Sequence, residues 1–560
     1  MKIRRILCCC TALLLLVLTL AACTGGGETG TSSAPGSTSS ADSQPNAEKS
    51  IEDYVEKKDY GGRTLTILSP RMNADNKSET EYVKNEYADN YEGEKLAARV
   101  NDAIEARNHL VEEYLNVEIV EQRLHETSRP GGAMLTTVRN EIIAGGSQNY
   151  QVINPCLYDC GVLAVEGALY NLYDVSTLNG LEAEWWDHSF NADVSFGDKL
   201  YFVNGDMSFK AKNATACIVY SKDVLNEYGL EDPYPLVHEG TWTVDRAIEM
   251  TKAISQDLND DGKITYEDKV GWAGQDGDTW NLFYGSGSRI AEFDADGRLQ
   301  LTMYNERSAR IADKIIELVQ DDLHYITADD YFGVVKWPSL LTMENFAAGN
   351  ELFLSTSIAD LINLQKMKGN YGLLPVPMLD ETQTEYYSLV GAWSATALCI
   401  PNTLSTEDAA FAGAVLECMG YYSMDTVRKE YFDNVLDYQY VQDDASMEML
   451  DLILSTRGCD IGQILLVGNL NATVRGLTTM PAGSFRSAYE AVEATAKADI
   501  DRLNELFEKL VLGDTKETII KLQEQYKNGA NPTTLLQDLI NITHLLAKTK
   551  LVPSFVNDPS

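Results

Sequence analysis

From Arg63 onward the chain alternates between two hydrophobic periodicities, and that alternation narrows the fold more than any other feature of the sequence. "RTLTILSP" (63–70) alternates polar and apolar residues as a strand does, and Leu96–Asn116 repeats its apolar residues at helical spacing. "VEIVEQRL" (117–124) is strand-like again. A helical stretch around Val138–Ala144 precedes a third strand, "YQVINPC" (150–156), and "GVLAVEGALYNL" (161–172) returns to helix. "DKLYFVNGD" (198–206) supplies another strand near Tyr201, and Ala214–Leu230 reads as strand, turn, helix. Strand and helix in turn predict an α/β lobe around a largely parallel sheet. At 560 residues the chain is too long for one small core, so two or more lobes are expected.

What precedes Arg63 has a different character. Lys2, Arg4 and Arg5 lead an apolar run from Ile6 to Leu20, closed by "LAAC" (20–23). A basic start, a short apolar segment and small residues before a cleavage point describe an export signal, and the run is shorter than the ~20 residues of a spanning helix. The tetrad resembles the bacterial lipobox, which implies removal of residues 1–22 and lipidation (palmitate) of Cys23. Residues 23–58 are dominated at first by Gly, Ser, Thr, Ala and Pro, a composition unable to bury apolar area, and are expected to act as a flexible tether. Lipid and tether together place the folded body at the extracellular face of the cell membrane.

Composition excludes more than it proves. A 44% hydrophobic and 23% charged chain is that of an ordinary globular protein. With 84 Asp and Glu against 45 Lys and Arg, and no basic patch with interleaved aromatics, nucleic acid is not an expected partner. Cys217, Cys399 and Cys418 sit in apolar surroundings and are expected core thiols; Cys156 and Cys160 form either a local bridge or nothing.

Three ordered stretches carry a family resemblance. "DKLYFVNGD", then "IVYSKDVLNEYGLEDPYP" with Ser221 and Lys222, then "GTWTVDRAIEMTKAI" (240–254), resemble the family 1 extracellular solute-binding proteins of bacterial ABC importers, the sugar-binding, maltose-binding-protein-like type. "FAAGNELFLSTSIADLINL" (346–364), "YGLLPVPMLD" (371–380) and "LVGAWSATALCIPN" (389–402) continue the resemblance, which covers most of residues 60–510. It implies a periplasmic-binding-protein-like type II fold: two α/β lobes around a ligand cleft, closing on the ligand about crossing segments. Crossings are expected near Gly205–Lys212 and Tyr386–Ala392, with a further return after Leu450. The implied division is 59–212 with 389–480 as a discontinuous N-terminal lobe, 213–388 as a second lobe, and 481–560 as an added C-terminal helical region. The implied partners are a small sugar ligand and an ABC permease, with the protein working as a monomer.

Candidate ligand residues follow from sugar chemistry, since aromatic faces stack on sugar rings and carboxylates bind hydroxyls. Trp185, Trp186 and Asp187 in "EWWDHSF", Trp280, and Trp393 in the return crossing are the candidates; each Trp reads equally as a core anchor. Asp206, near the first crossing, reads either as a ligand contact or as a hinge tie. An enzyme is not expected. The six histidines are scattered, with no His-Glu-x-x-His site and no Gly-x-Ser-x-Gly elbow, although an acidic chain always offers carboxylate pairs. A calcium-stabilised adhesin is the other alternative.

"SQDLNDDGKITYEDKVG" (255–271) has the spacing of a calcium loop. Asp257, Asn259, Asp261 and Asp268 stand at positions 1, 3, 5 and 12, Gly262 at 6, and the Lys263 carbonyl at 7. A shorter Asp at position 12 in place of Glu predicts a weak structural Ca2+ site, and no second repeat is present: "DADGRLQL" (294–301) reads as a hairpin turn. Titration calorimetry of EGTA-stripped protein should show one site of submillimolar to millimolar affinity that Asp257→Ala removes. Absence of heat up to several millimolar calcium would refute it.

Overall fold

The computed structural model describes residues 49–71, 82, 95–144, 149–196, 199–367, 369–440 and 442–512. The signal-like segment 1–22, Cys23, the tether up to residue 48 and the tail after residue 512 lie outside the described residues. No described helix is long and apolar enough to cross a membrane.

Strands β1 (Arg63–Arg71), β2 (Val117–His125) and β3 (Val152–Ile153) form a parallel sheet in the order β2-β1-β3. Helix Lys95–Leu115 makes the crossover from β1 to β2. Its Val100, Ile104, Val111 and Leu115 are buried at spacings of three to four residues or their multiples, so one stripe of the helix covers the sheet. Helix Ala133–Ile143 makes the next crossover, to β3. A first strand at the centre of the order, with crossovers to both sides, is the doubly wound arrangement that opens a ligand crevice at the strands' carboxyl ends.

Two later segments extend this sheet. Residues around 396–399 pair antiparallel with β3, through Ile153 with Cys399 and Cys156 with Thr396, and Val203 pairs with Leu398. All six described cysteines are buried and free. Cys156 and Cys160 are not bridged to each other; the Cys160 thiol instead lies 3.8 Å from that of Cys399.

The second sheet is mixed. Its strands are β4 (Ala216–Ser221), β5 (Ser255–Gln256), β6 (Lys269–Gly274), β9 (Tyr325–Thr327), β10 (Glu351–Ser357) and β11 (Tyr371–Leu374), in the order β11-β4-β10-β6, with β5 and β9 both on β6. β4 is antiparallel to β10 and β11, while β10, β6 and β9 run together. β4 and β6 are buried at every position, without alternation, as strands covered on both faces are. The intervening hairpin β7 (Ala291–Phe293) and β8 (Leu299–Leu301) turns through Asp294–Arg298, with Gly297 at φ 74°, as the sequence predicted.

Helix starts follow side-chain chemistry. Ser221, Thr243, Asn305, Asp443 and Asp460 each accept a backbone N–H three residues on and so satisfy a donor left over at the helix N-terminus. The long helix Phe485–Leu512 packs on the hairpin, where Asn504 both accepts from Leu299 N (2.7 Å) and donates to Leu299 O (2.8 Å). An amide side chain thus occupies the free edge of β8 as another strand would.

The chain passes between the sheets three times. Val203 pairs with Leu398 at one end of the first two passages and Thr215 with Val390 at the other, both antiparallel. The third passage is β13 (Arg457–Gly458), which pairs parallel with β12 (Ser388–Leu389).

Candidate functional site

The crossings bring the carboxyl ends of both sheets to one place. β10 ends at Ser357, and the next residue, Ile358, donates its N–H to Thr215 O (3.0 Å) on the first crossing. Gly391 N donates to Ala214 O (2.9 Å), and the tight turn Gly391–Ala395 then carries the chain to its pairing with Cys156. Trp393 sits at the tip of that turn with 46% of its surface exposed, the only one of the sequence-nominated tryptophans with an open ring. Arg129 braces it: Nη1 donates to the Trp393 carbonyl (2.7 Å), and the guanidinium lies 5.4 Å from the ring centroid.

Around this turn the first sheet presents polar atoms with nothing to bond. Ser69 ends the buried part of β1, Asn154 follows β3, Asp159 lies in the first turn of helix Leu157–Val165, and Thr396 begins the return strand. All four are buried, yet Ser69 Oγ, Asn154 Oδ1, Asp159 Oδ2 and Thr396 Oγ1 have no hydrogen-bond partner. Unbonded buried polar atoms are costly, and these four, each shielded from solvent, gather near one edge of the first sheet. Asp159 Oδ1 accepts from Gly131 N (2.9 Å), and burial raises this carboxyl's pKa despite that bond.

The second sheet contributes acids. Asp276 and Asp278 follow β6, Asp329 follows β9, and Asp360 follows β10. Asp276 N donates to Asp329 Oδ2 (2.7 Å), and the hydroxyls of Thr356 and Ser357 donate to Asp360. Burial, with Asp329 and Asp360 as like charges nearby, pushes Asp278 up to about 7. Trp393 and the first-sheet groups thus lie on one side of the crossings, and the acids after β6, β9 and β10 stand at the carboxyl ends of the second sheet.

Other sequence candidates lie elsewhere, and their surroundings say why. Trp185 and Trp186 are each 2% exposed, and both indole N–H groups donate to Glu417 Oε1 (3.1 and 3.3 Å). Trp185 also packs edge-on against Tyr54 and Tyr421. A Cβ at Gly420 would lie 2.3 Å from the Trp185 ring, and one at Gly180 2.0 Å from Glu417, so both positions need glycine for space. These indoles anchor the core and offer no face to a ligand. Asp187 caps helix His188–Asp193 and pairs with Arg457 (2.6 Å) on the third crossing. Burial pushes its carboxyl up, but Arg457's charge and hydrogen bonds more than offset this and hold it below the usual carboxylate range.

Asp206 is buried, with one carboxylate oxygen on Lys212 (2.7 Å) and the other on Arg428 (3.0 Å). Trp280 is buried against Phe283, its N–H without a partner. Arg129, Asn154, Asp159 and Thr396 were not nominated from sequence. Their one legible signal was position, just after strands of a parallel sheet.

The calcium-like loop closes on itself. Asp257 accepts from Asn259 N and Gly262 N, Asn259 from Asp261 N, and Asp261 from Lys263 N. Gly262 has φ 80°, as the sharp turn at position 6 requires. Asp268 is fully buried and spends both oxygens on Leu258 N, Thr265 N and the Thr265 hydroxyl. The donor types suit calcium, but among the described residues no three His, Cys, Asp or Glu side chains converge closely enough to hold a metal. The loop is distant in sequence from the Trp393 turn and joins β5 to β6.

Comparison with known proteins supports the fold. The structure is similar to the cyclic α-maltosyl-1,6-maltose binding protein of Arthrobacter globiformis, with a TM-score of 0.51 at 12% identity over 79% of this chain and 99% of that one. It is also similar to the maltose/maltodextrin-binding domain MalE of Bdellovibrio bacteriovorus bound to maltotriose, with a TM-score of 0.50 at 15% identity over 78% and 100%. At such identity the likeness concerns the fold, and the two-lobed α/β architecture expected from sequence is the one found. Residues 496–560 match the family model described as DNA polymerase III subunits gamma and tau domain III. That stretch is a small C-terminal part, described only as far as the end of helix Phe485–Leu512. No curated protein matches the chain.

Glu417 makes the core pH-sensitive. Burial raises its pKa to about 7, against the opposing bonds from Trp186, Gly180 N and Trp185. An acid whose folded pKa is raised keeps its proton in the folded state while the unfolded chain ionises. Stability therefore falls as pH rises from about 4.5 to 7, by on the order of 3 kcal/mol for this group. Glu417→Gln should melt higher than wild type at pH 8 and close to it at pH 4.5. Parallel melting curves across that range would overturn the assignment.

Proposed function

We propose that this protein is a solute-binding component of an ABC importer, capturing a carbohydrate between its two lobes and passing it unaltered to a membrane permease. The observation that carries the reading is the exposed Trp393 ring on the turn between two paired crossings, beside four unbonded buried polar atoms. A sugar would cover the indole with its apolar face, and an opening of the lobes that uncovers Asp159, Asn154, Ser69 and Thr396 would let its hydroxyls bond them. The two similar structures, a cyclic maltosyl-maltose binder and a domain bound to maltotriose, support an oligosaccharide. Residues of both lobes meet the ligand, so contacts made only when the lobes approach favour the closed form.

Export and anchoring belong to the same reading. The signal-like segment, "LAAC" and the tether would hold the body by lipid at Cys23 on the outer face of the membrane. Calcium would brace the second lobe and take no part in capture, provided Asp257, Asn259 and Asp261 turn from the backbone N–H groups they now accept from to join the Lys263 carbonyl around the ion.

Intrinsic fluorescence titrated with α- and β-linked gluco-oligosaccharides tests the capture reading. At least one should bind without being consumed, and Trp393→Ala should weaken it by ten-fold or more, in line with about 1–2 kcal/mol for a lost aromatic contact. Hydrolysis of the sugar, or no binding across the panel, would sink the proposal. For the anchor, Cys23→Ala should lose palmitate labelling and leave the membrane fraction; equal labelling of both proteins would refute lipidation.

A further inference from the structure

A cavity of about 830 Å³ lies between the lobes, and neither Trp393 nor the groups beside it line it. Its size falls within the roughly 300–1,000 Å³ of small-molecule sites. Ser189 and Asp193, from helix His188–Asp193 of the first lobe, form one wall. Tyr284 and Arg289 of the second lobe form the other, and Tyr387 and Gly458, at the starts of two crossings, complete it.

Arg289 organises the cavity. Its guanidinium carbon lies 3.3 Å from the centroid of the Tyr284 ring and 5.0 Å from that of Tyr387, and Nη1 donates to the carbonyls of Tyr284 (2.9 Å) and Ser288 (2.8 Å). Those bonds fix the guanidinium plane and use only one of its nitrogens. No ion pair to Arg289 forms among the described residues, in a chain with 84 acids against 45 bases. Across the cavity Asp193 accepts from Cys459 N (2.7 Å), and burial pushes its carboxyl up to about 6 despite Arg289 nearby.

The wall chemistry selects the ligand. Glu292 and Glu385 add acids to Asp193, so the walls are not net positive and do not suit a simple anion. A fixed planar donor, carboxylate acceptors and the half-open Tyr387 ring fit a neutral molecule that donates and accepts at several hydroxyls. We propose that this cavity is a second binding site, for a compact polyhydroxylated molecule of one sugar ring or an equivalent open-chain polyol, held between Arg289 and Asp193 against the Tyr387 ring, with Tyr284 backing the guanidinium.

The position adds a consequence. A Cβ on Gly458 would lie 2.4 Å from the Tyr284 hydroxyl and 2.8 Å from Asp193 Oδ2, so groups of both lobes converge on one residue of the third crossing. Rotation of the lobes changes that convergence, and a ligand preferring one lobe arrangement here shifts affinity at the Trp393 locus, with the reciprocal effect. The coupling, though not the site itself, rests on the capture reading above.

Thermal shift of the full chain with ribitol, myo-inositol and D-glucose as probes, followed by calorimetry, is the test. The expected result is that at least one probe raises the melting temperature by about 2 °C or more in wild type and in Trp393→Ala alike, as a ligand of the folded state does. Arg289→Ala and Tyr387→Ala should lose that shift or bind at least ten-fold more weakly; if Arg289→Ala does not fold, Tyr387→Ala decides. No shift in Trp393→Ala, or an unchanged shift in Tyr387→Ala, overturns the site. With the site established, an oligosaccharide affinity at the Trp393 locus that is the same with and without saturating probe overturns the coupling.

Discussion

Everything functional in this molecule depends on one backbone pairing. The first and second crossings are joined at both ends, Val203 to Leu398 and Thr215 to Val390, so a single antiparallel ribbon belongs to both sheets at once. Any motion between lobes would have to bend the residues between those two bridges, because their ends are held by hydrogen bonds. Trp393 and Asp206 both lie in that interval. One is offered to the outside, and the other is tied down by Lys212 and Arg428. The ribbon thus carries both a buried, doubly paired acid and an exposed aromatic ring.

Buried carboxyls cluster around these crossings, and their partners decide what each contributes. Asp187 and Asp206 are paired with cations, so removing a partner would leave an uncompensated buried charge, and the pairs hold neighbouring segments in register. Glu417, Asp193 and Asp460 lack a direct cation within bonding reach, and burial raises all three. A protein with so many acids keeps most of them in water. Of those placed inside, Glu417 lies beside the Trp185–Trp186 pair and Asp187 and Asp460 beside the third crossing, while Glu126, Asp159, Asp268 and Glu351 are buried elsewhere.

The two sheet edges that meet at Trp393 differ in chemistry. The first offers neutral or protonatable groups lacking partners; the second offers Asp276, Asp278, Asp329 and Asp360, already bonded among themselves and to local hydroxyls. An anionic solute would meet the second edge unfavourably. A neutral one with many hydroxyls finds acceptors on both. This asymmetry is a property of the strand ends, since loops after parallel strands can vary without disturbing the hydrogen-bonded sheet beneath them.

The sequence by itself determined the alternation of strand and helix, the hairpin at "DADGRLQL" and a glycine-turned acidic loop, because each is written in residues close along the chain. It also placed Trp393 at a return crossing. It could not separate Trp393 from Trp185 and Trp186, since a tryptophan's exposure depends on what packs against it. Glu417 lies more than two hundred residues from the indoles it receives, and Gly420 makes room for one of them. Asp187 and Asp206 were likewise ambiguous until Arg457 and Arg428 arrived from the far end of the chain. Arg129, Asn154, Asp159 and Thr396 look unremarkable in sequence; only the parallel register of β1 and β3 and the return strand collects them at one edge. Local periodicity dictates elements, whereas the partners of a buried polar group are chosen by contacts between distant segments, and those exist only once the chain has folded.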